Sequence, residues 1–243
     1  MARYILTLCA LLGLAACDAR FSANFEGEQV GAPPPLSPRG PPTGDQIVLT
    51  TSGVSGNGTA ISVTDDADVV PGDGAHRFLS LEIVADPGET TSMQLRSSEF
   101  VTSTQPLFLI SDQILGGLGT AQIQFYELGA DQSEVSFCRI ITGNDTVTAS
   151  CQANLDAPAA SASITNFDSQ LPHRVVVRID RPAGPVRMSV SQEGIADNGV
   201  TVETPGLLFP GEGERLNLPV FVDGAVGVGY RLNSFSLSER DPG

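Results

Sequence analysis

From about residue 46 to residue 238, apolar and polar residues alternate with period two. Turn-forming residues break the alternation about every 8–12 residues. This spacing predicts strands over Gln46–Thr51, Thr59–Thr64, Arg77–Val84, Ser92–Arg96, Pro106–Ile110, Gln122–Leu128, Glu134–Ile141, Thr146–Cys151, Ser161–Thr165, Arg174–Asp180, Val186–Gln192, Val200–Glu203, Leu216–Val222 and Tyr230–Ser238. Separators include Ser52-Gly53, Asp86-Pro87-Gly88, Gly129-Ala130-Asp131 and Asp197-Asn198-Gly199, residue types that set turns by mechanism. No long stretch beyond the first residues repeats at 3.6; Leu107–Leu118 comes nearest, and Gly116-Gly117 weakens it. About fourteen short strands are too many for an immunoglobulin sandwich and predict a larger all-β fold, a two-sheet jelly-roll sandwich.

The pattern also assigns faces. In Arg174–Asp180, Val175, Val177 and Ile179 share one face, and Arg174, Val176, Arg178 and Asp180 the other. In Tyr230–Ser238, Leu232, Ser234, Ser236 and Ser238 alternate with Arg231, Asn233, Phe235 and Leu237. Residues 31–44 hold six prolines, a density that no helix or central strand survives. This segment is either a tether or a long loop inside the domain, because Phe21–Glu26 before it reads as a short strand.

The N-terminus sets the expected compartment. Arg3 precedes an uncharged apolar run, Tyr4 to Leu14, which is too short to span a bilayer. The run ends in Leu14-Ala15-Ala16-Cys17, which resembles the bacterial lipobox. The resemblance implies a signal peptide over 1–16, lipid on Cys17 and a lipidated N-terminus and short tether over 17–20, and the strand pattern then gives a β-sandwich over 21–243. Several acyl chains at about 0.8 kcal/mol per buried CH₂ would hold such a domain at a membrane. The expected place is the bacterial cell envelope, facing the periplasm. Asp18 implies inner-membrane retention by the enteric pattern, which other bacteria follow less, so the choice of membrane stays open. Cleavage before Cys17 would leave 12 Arg against 28 acidic residues, a net charge of −16. That charge repels anionic head groups and favours a domain that stands off the bilayer. It also argues against a nucleic-acid partner, which needs a basic face.

Two cysteines remain, Cys138 and Cys151. A hairpin centred on Asn144-Asp145 with a two-residue loop places 143 opposite 146 and 138 opposite 151. Cys138 and Cys151 then form a closely spaced cross-strand pair, with Cα atoms about 4.5 Å apart, inside the reach of a disulfide. An oxidising compartment makes the bridge the expected state.

The opening Asn24-Phe25-Glu26, the Pro-rich loop with Gly44-Asp45, and the closing Leu232-Asn233-Ser234-Phe235-Ser236-Leu237 resemble the ends of concanavalin A-like lectin and glucanase domains. The resemblance covers nearly all of the mature chain. It implies that the first and last strands pair, that one Ca²⁺ is often present, and that the function is glycan binding or glycan hydrolysis. The E-x-D-x-x-E strand of such glucanases is absent. Glu212 and Glu214 lie in a loop and read as solvated charge, although glycoside hydrolysis needs paired carboxylates. There is no G-x-S-x-G, H-E-x-x-H or C-x-x-C, and no phosphate-binding glycine pattern. His76 and His173 read as surface or capping residues. Asp65, Asp66, Asp68 and Asp73 form the densest oxygen cluster; it reads either as a solvated acidic loop or as a Ca²⁺ site. Sugar platforms are scarce, with no Trp and only Tyr126 and Tyr230 in the mature part. Leu207, Leu208 and Phe209 lie between prolines and form either a knob for a protein partner or a plug for the sandwich. The expectation is a non-enzymatic, membrane-anchored binding module for a glycan or an envelope protein. A polysaccharide hydrolase and a structural surface protein are the alternatives.

Overall fold

A computed structural model describes residues 19–25, 29–30, 47–52, 59–65, 77–83, 91–97, 101–102, 105–114, 121–128, 134–142, 147–154, 156–164, 167–168, 171–180, 184–192, 200–205, 215–216, 220–224 and 229–241. The described residues form strands joined by turns and bends. In chain order these are β1 (Ala19–Asn24), β2 (Ile47–Ser52), β3 (Thr59–Asp65), β4 (Arg77–Ile83), β5 (Thr91–Ser97), β6 (Val101–Thr102), β7 (Leu107–Ile114), β8 (Ala121–Leu128) and β9 (Glu134–Thr142). They continue as β10 (Val147–Gln152), β11 (Ala160–Ser163), β12 (His173–Ile179), β13 (Val186–Gln192), β14 (Val200–Thr204), β15 (Arg215–Leu216), β16 (Val220–Gly224) and β17 (Gly229–Ser238). The expected segment Leu216–Val222 is divided between β15 and β16. Residues 19 and 20, assigned above to the tether, open β1.

Two antiparallel sheets make the jelly-roll sandwich. One runs β14-β13-β12-β7-β17-β4-β3, with β1 also on β17; the other runs β11-β10-β9-β8-β16-β5-β2. A two-stranded piece joins β15 to β6. The first and last strands pair as the resemblance implied, from Ala19 opposite Ser238 to Asn24 opposite Ser234.

Period two builds the core directly. Val175, Val177 and Ile179 of β12 and Val186, Met188 and Val190 of β13 point inward and are buried. Ile123, Cys138, Ile140, Ala149 and Cys151 face them from the other sheet, with β9 and β10 packed on β13 and β14. Phe25, directly after β1, is buried in the same cluster.

Strict alternation fails in β17. Its buried residues are Tyr230, Leu232, Phe235 and Leu237, so the inward phase changes partway along the strand. The register against β7 shifts between Leu232 and Ser234, leaving Asn233 as an extra residue. A bulge inserts one residue and inverts the facing of everything after it. The expected grouping of Leu232 with Ser234, Ser236 and Ser238 is corrected for that reason.

β7 runs four residues beyond the expected end at Ile110, and Ser111 and Gln113 continue its buried phase. Between β12 and β13 the chain turns with Gly184 N–H donating to the Asp180 carbonyl at 2.8 Å. A Cβ at Gly184 would lie 2.4 Å from the Asp180 Cβ, so this turn requires glycine.

Candidate functional site

The two outer faces of the sandwich carry different chemistry. On the eight-stranded sheet, register aligns Phe108, Arg178, Arg187 and Glu203 across β7, β12, β13 and β14. Arg174 grips Asp112 through two hydrogen bonds, Nε to Oδ1 at 2.7 Å and Nη2 to Oδ2 at 3.0 Å. The Ser234 hydroxyl donates to the same carboxylate at 2.9 Å. Arg178 pairs with Asp180 at 2.6 Å and reaches Asp241 at 4.0 Å, while its guanidinium carbon lies 5.5 Å from the Phe108 ring centroid. Arg187 pairs with Glu203. Exposed pairs of this kind contribute about 0–1 kcal/mol each. Their effect here is to occupy these arginines and carboxylates with one another.

The outer face of the seven-stranded sheet is less charged. Cys138, Ile140 and Thr142 of β9 turn into the core; Phe137, Arg139 and Ile141 take the alternate positions. Phe137 is buried, 4% exposed, although it is not part of the main core cluster, and Ser150, which stands opposite Arg139 on β10, is also 4% exposed. The Arg139 guanidinium carbon lies 5.5 Å from the Phe137 centroid, and its Nε donates to Ser150 Oγ at 3.2 Å. Gln152 Nε2 donates to the Ala157 carbonyl at 2.6 Å. On β8 the register positions opposite Ile141, Arg139 and Phe137 are Gln122, Gln124 and Tyr126. On β16, Asp223 and Phe221 stand opposite Gln122 and Gln124. The sequence thus places amides, hydroxyls and aromatics in adjacent register positions around one guanidinium. Amides and hydroxyls can exchange hydrogen bonds with a polyhydroxylated ligand, and aromatic rings can pack on its C–H faces.

A separate polar network lies inside the sandwich. Gln113 accepts at Oε1 from Ser111 Oγ at 2.9 Å and from the Tyr230 hydroxyl at 2.8 Å. Its Nε2 contacts His173 Nε2 at 3.1 Å; because the amide nitrogen donates, the ring nitrogen accepts. His173 Nδ1 then faces the Leu171 carbonyl at 3.5 Å. Phe167 packs edge-on to the imidazole with centroids 4.8 Å apart. Gln192 holds the same loop, donating to the Asp168 carbonyl at 2.8 Å and accepting from its N–H at 3.1 Å. Burial pulls the His173 pKa down to about 4, against the opposing pull of the Leu171 carbonyl and Asp112. Burial also pushes the Tyr230 phenol well above its ordinary value. Both groups are therefore neutral at physiological pH.

The expected site residues fall as follows. Cys138 and Cys151 are register partners joined by a disulfide, with Cα atoms 4.1 Å apart, and Thr142 opposite Val147 gives the pairing predicted from spacing. His173 is not a surface residue. It takes an inward position on β12 and its polarity is met by Gln113, which corrects the surface or capping reading. Tyr230 is buried and unavailable as a sugar platform, whereas Tyr126 sits in register with Phe137. Asp65 ends β3 opposite Arg77. Cys17, Asp66, Asp68, Asp73, His76, Leu207, Leu208, Phe209, Glu212 and Glu214 lie outside the described residues. Among the described residues no group of three or more His, Cys, Asp or Glu converges on a metal position, and no helix is long and apolar enough to cross a membrane. Sequence reasoning missed Arg139, Ser150 and Phe137. Their signal was available once Cys138 was paired with Cys151, because that register also pairs Arg139 with Ser150.

No protein-family model matches the chain, and no curated protein matches its sequence. Similar folds occur among solved structures. The CBM2 module of Lactobacillus casei BL23 phage J-1 evolved Dit is 8% identical, with a TM-score of 0.58 over 92% of this chain and 97% of that one. Lectin II from Ulex europaeus is 9% identical, with a TM-score of 0.52 over 90% of this chain and 98% of that one. A structure from work on endo-acting O-glycanases of prominent human gut microbiota, which initiate mucin breakdown, is 10% identical. Its TM-score is 0.53 over 92% of this chain and all of that one. At such identities these likenesses speak to the fold, a lectin-like jelly roll.

Proposed function

We propose that this protein is a glycan-binding module of the bacterial envelope, anchored through lipid on Cys17, and that it is not an enzyme. The observation that carries the binding reading is the face around Arg139. A buried phenylalanine and a buried serine there hold one half-buried guanidinium, and the register positions around it carry amides and Tyr126. The lectin and CBM2 likenesses support the same reading at the level of fold.

The non-enzymatic part rests on the titratable groups of the described residues. His173 is held neutral in a closed network away from solvent. Asp112, Asp180 and Glu203 are engaged by arginines. Anchoring rests on the lipobox pattern, and the Cys138–Cys151 bridge suits an oxidising compartment. With β1 opening at Ala19, a lipid on Cys17 would bring the end of the sheet holding Ala19 and Ser238 toward the bilayer.

A second reading, a polysaccharide-acting hydrolase, draws on the likeness to the O-glycanase structure. A glycan array probed with and without Ca²⁺, followed by product analysis of each ligand found, separates the two. Retained ligand with no cleavage supports a binding module. Cleavage products make the protein an enzyme. Silence across the array removes the glycan and leaves an envelope protein as partner. Mass spectrometry of the N-terminal peptide from membranes tests lipid on Cys17.

A further inference from the structure

Arg139 differs from the other paired arginines. Arg174, Arg178 and Arg187 each contact a carboxylate. Arg139 contacts a hydroxyl and an aromatic ring, and among the described residues no carboxylate lies within ion-pair reach of it. This is notable in a chain of 28 acidic residues and 13 basic ones, where carboxylates are the commonest charged neighbours. The register positions beside Arg139 are Ser150 and Gln124, and those one step along the same face are Ile141, Phe137, Thr148, Gln152, Gln122 and Tyr126, all uncharged.

The guanidinium is also held in place. The Phe137 ring supports it and Ser150 takes Nε, which leaves the Nη1 and Nη2 fork without a protein acceptor among the described residues. A guanidinium fork matches a carboxylate through two parallel hydrogen bonds. Ordering the fork in advance lowers the entropy lost on binding. The chain's net charge of −15 opposes dense polyanions, and screening limits that opposition to about 8 Å at physiological salt. Asp223 and Arg96 occupy the same face farther along it, on β16 and β5, so the uncharged surroundings are those next to Arg139, and one guanidinium with uncharged nearest positions suits one negative group on an otherwise neutral ligand.

We infer that the Arg139 face selects saccharides bearing an isolated carboxylate, a uronic acid unit flanked by neutral sugars, with the carboxylate on the Arg139 fork. The inference rests on the glycan-binding reading and names the ligand class of that same face.

The test uses the whole exported chain and three probes: a neutral xylo-oligosaccharide, the same oligosaccharide carrying one glucuronic acid, and the methyl ester of that acid. Calorimetry should show the acid binding on the order of tenfold to a hundredfold more tightly than its ester, the range of a charge-assisted pair. Arg139→Gln should bring the acid and its ester to equal affinity, whatever it does to binding of the neutral oligosaccharide, and its melting temperature reports whether the fold is kept. A variant-free check on the wild-type chain is competition, in which free glucuronate should displace the acidic probe better than glucose does. Equal binding of acid and ester, or a preference that survives Arg139→Gln, overturns the inference and leaves the glycan-binding reading standing. Failure of all three probes when the array identifies another glycan overturns the inference alone. Failure of all three with a silent array overturns both.

Discussion

The Tyr230 hydroxyl donates to Gln113 Oε1 at 2.8 Å, joining two residues 117 positions apart on neighbouring strands. Gln113 also receives Ser111 and meets His173, so one buried amide satisfies three polar side chains. A network of this kind is sensitive to which member is removed. Tyr230→Phe leaves Gln113 Oε1 still accepting from Ser111, and should cost about 1 kcal/mol. Gln113→Leu leaves His173, Tyr230 and Ser111 buried without it, and should cost about 3 kcal/mol or more. Urea denaturation of both variants checks the order; equal losses would show that Gln113 is not the hub.

His173 should give the fold a specific acid sensitivity. Its folded pKa is about 4 and its unfolded value 6.5, so protonation favours the unfolded chain. Stability from this residue is fully present above pH 6.5, falls as pH drops from 6.5 to 4, and levels off below 4. The span corresponds to roughly 3 kcal/mol. His173→Gln should remove that part of the slope. Unfolding free energy measured between pH 4 and 7 for both chains checks it, and identical slopes would count against a buried neutral imidazole.

The Cys138–Cys151 bridge closes a loop with a sequence separation of 13. Closing a loop of this size contributes about 3 kcal/mol in the chain-entropy picture. The double substitution of both cysteines by serine should lower stability by about that amount. Adding reductant should lower the midpoint of the native chain and leave that of the variant unchanged.

Asn233 is the extra residue of β17. Deleting it should return the strand to strict alternation and force either Tyr230 and Leu232, or Phe235 and Leu237, out of the core. Each fully exposed large side chain forfeits about 1.5–3 kcal/mol, so the deletion should prevent stable folding. Asn233→Ala keeps the residue count and should fold. Soluble yield and thermal unfolding distinguish the two outcomes.

Much of this architecture is legible in the residues. The faces of β12 follow from Val175, Val177 and Ile179, because a strand turns successive side chains to opposite sides whatever it pairs with. The β9–β10 register follows from the spacing of two cysteines about a short turn, since a hairpin fixes its own pairing. The pairing of β1 with β17 came through the resemblance at the two ends of the chain.

Local pattern alone determined the strands, the all-β class and the disulfide, because each depends on neighbours close in the chain. The phase change in β17 is written in its own apolar spacing, Tyr230 and Leu232 then Phe235 and Leu237, but that Asn233 is the extra residue is fixed only by the register against β7, more than a hundred residues away. The burial of His173 was decided the same way: an imidazole is acceptable inside only because Gln113, 60 positions away, arrives to meet it. Arg139 stands between these cases: Phe137, two positions before it, and Ser150, across the same hairpin, are local contacts, while the uncharged Gln124 beside it is placed by the pairing of β9 with β8.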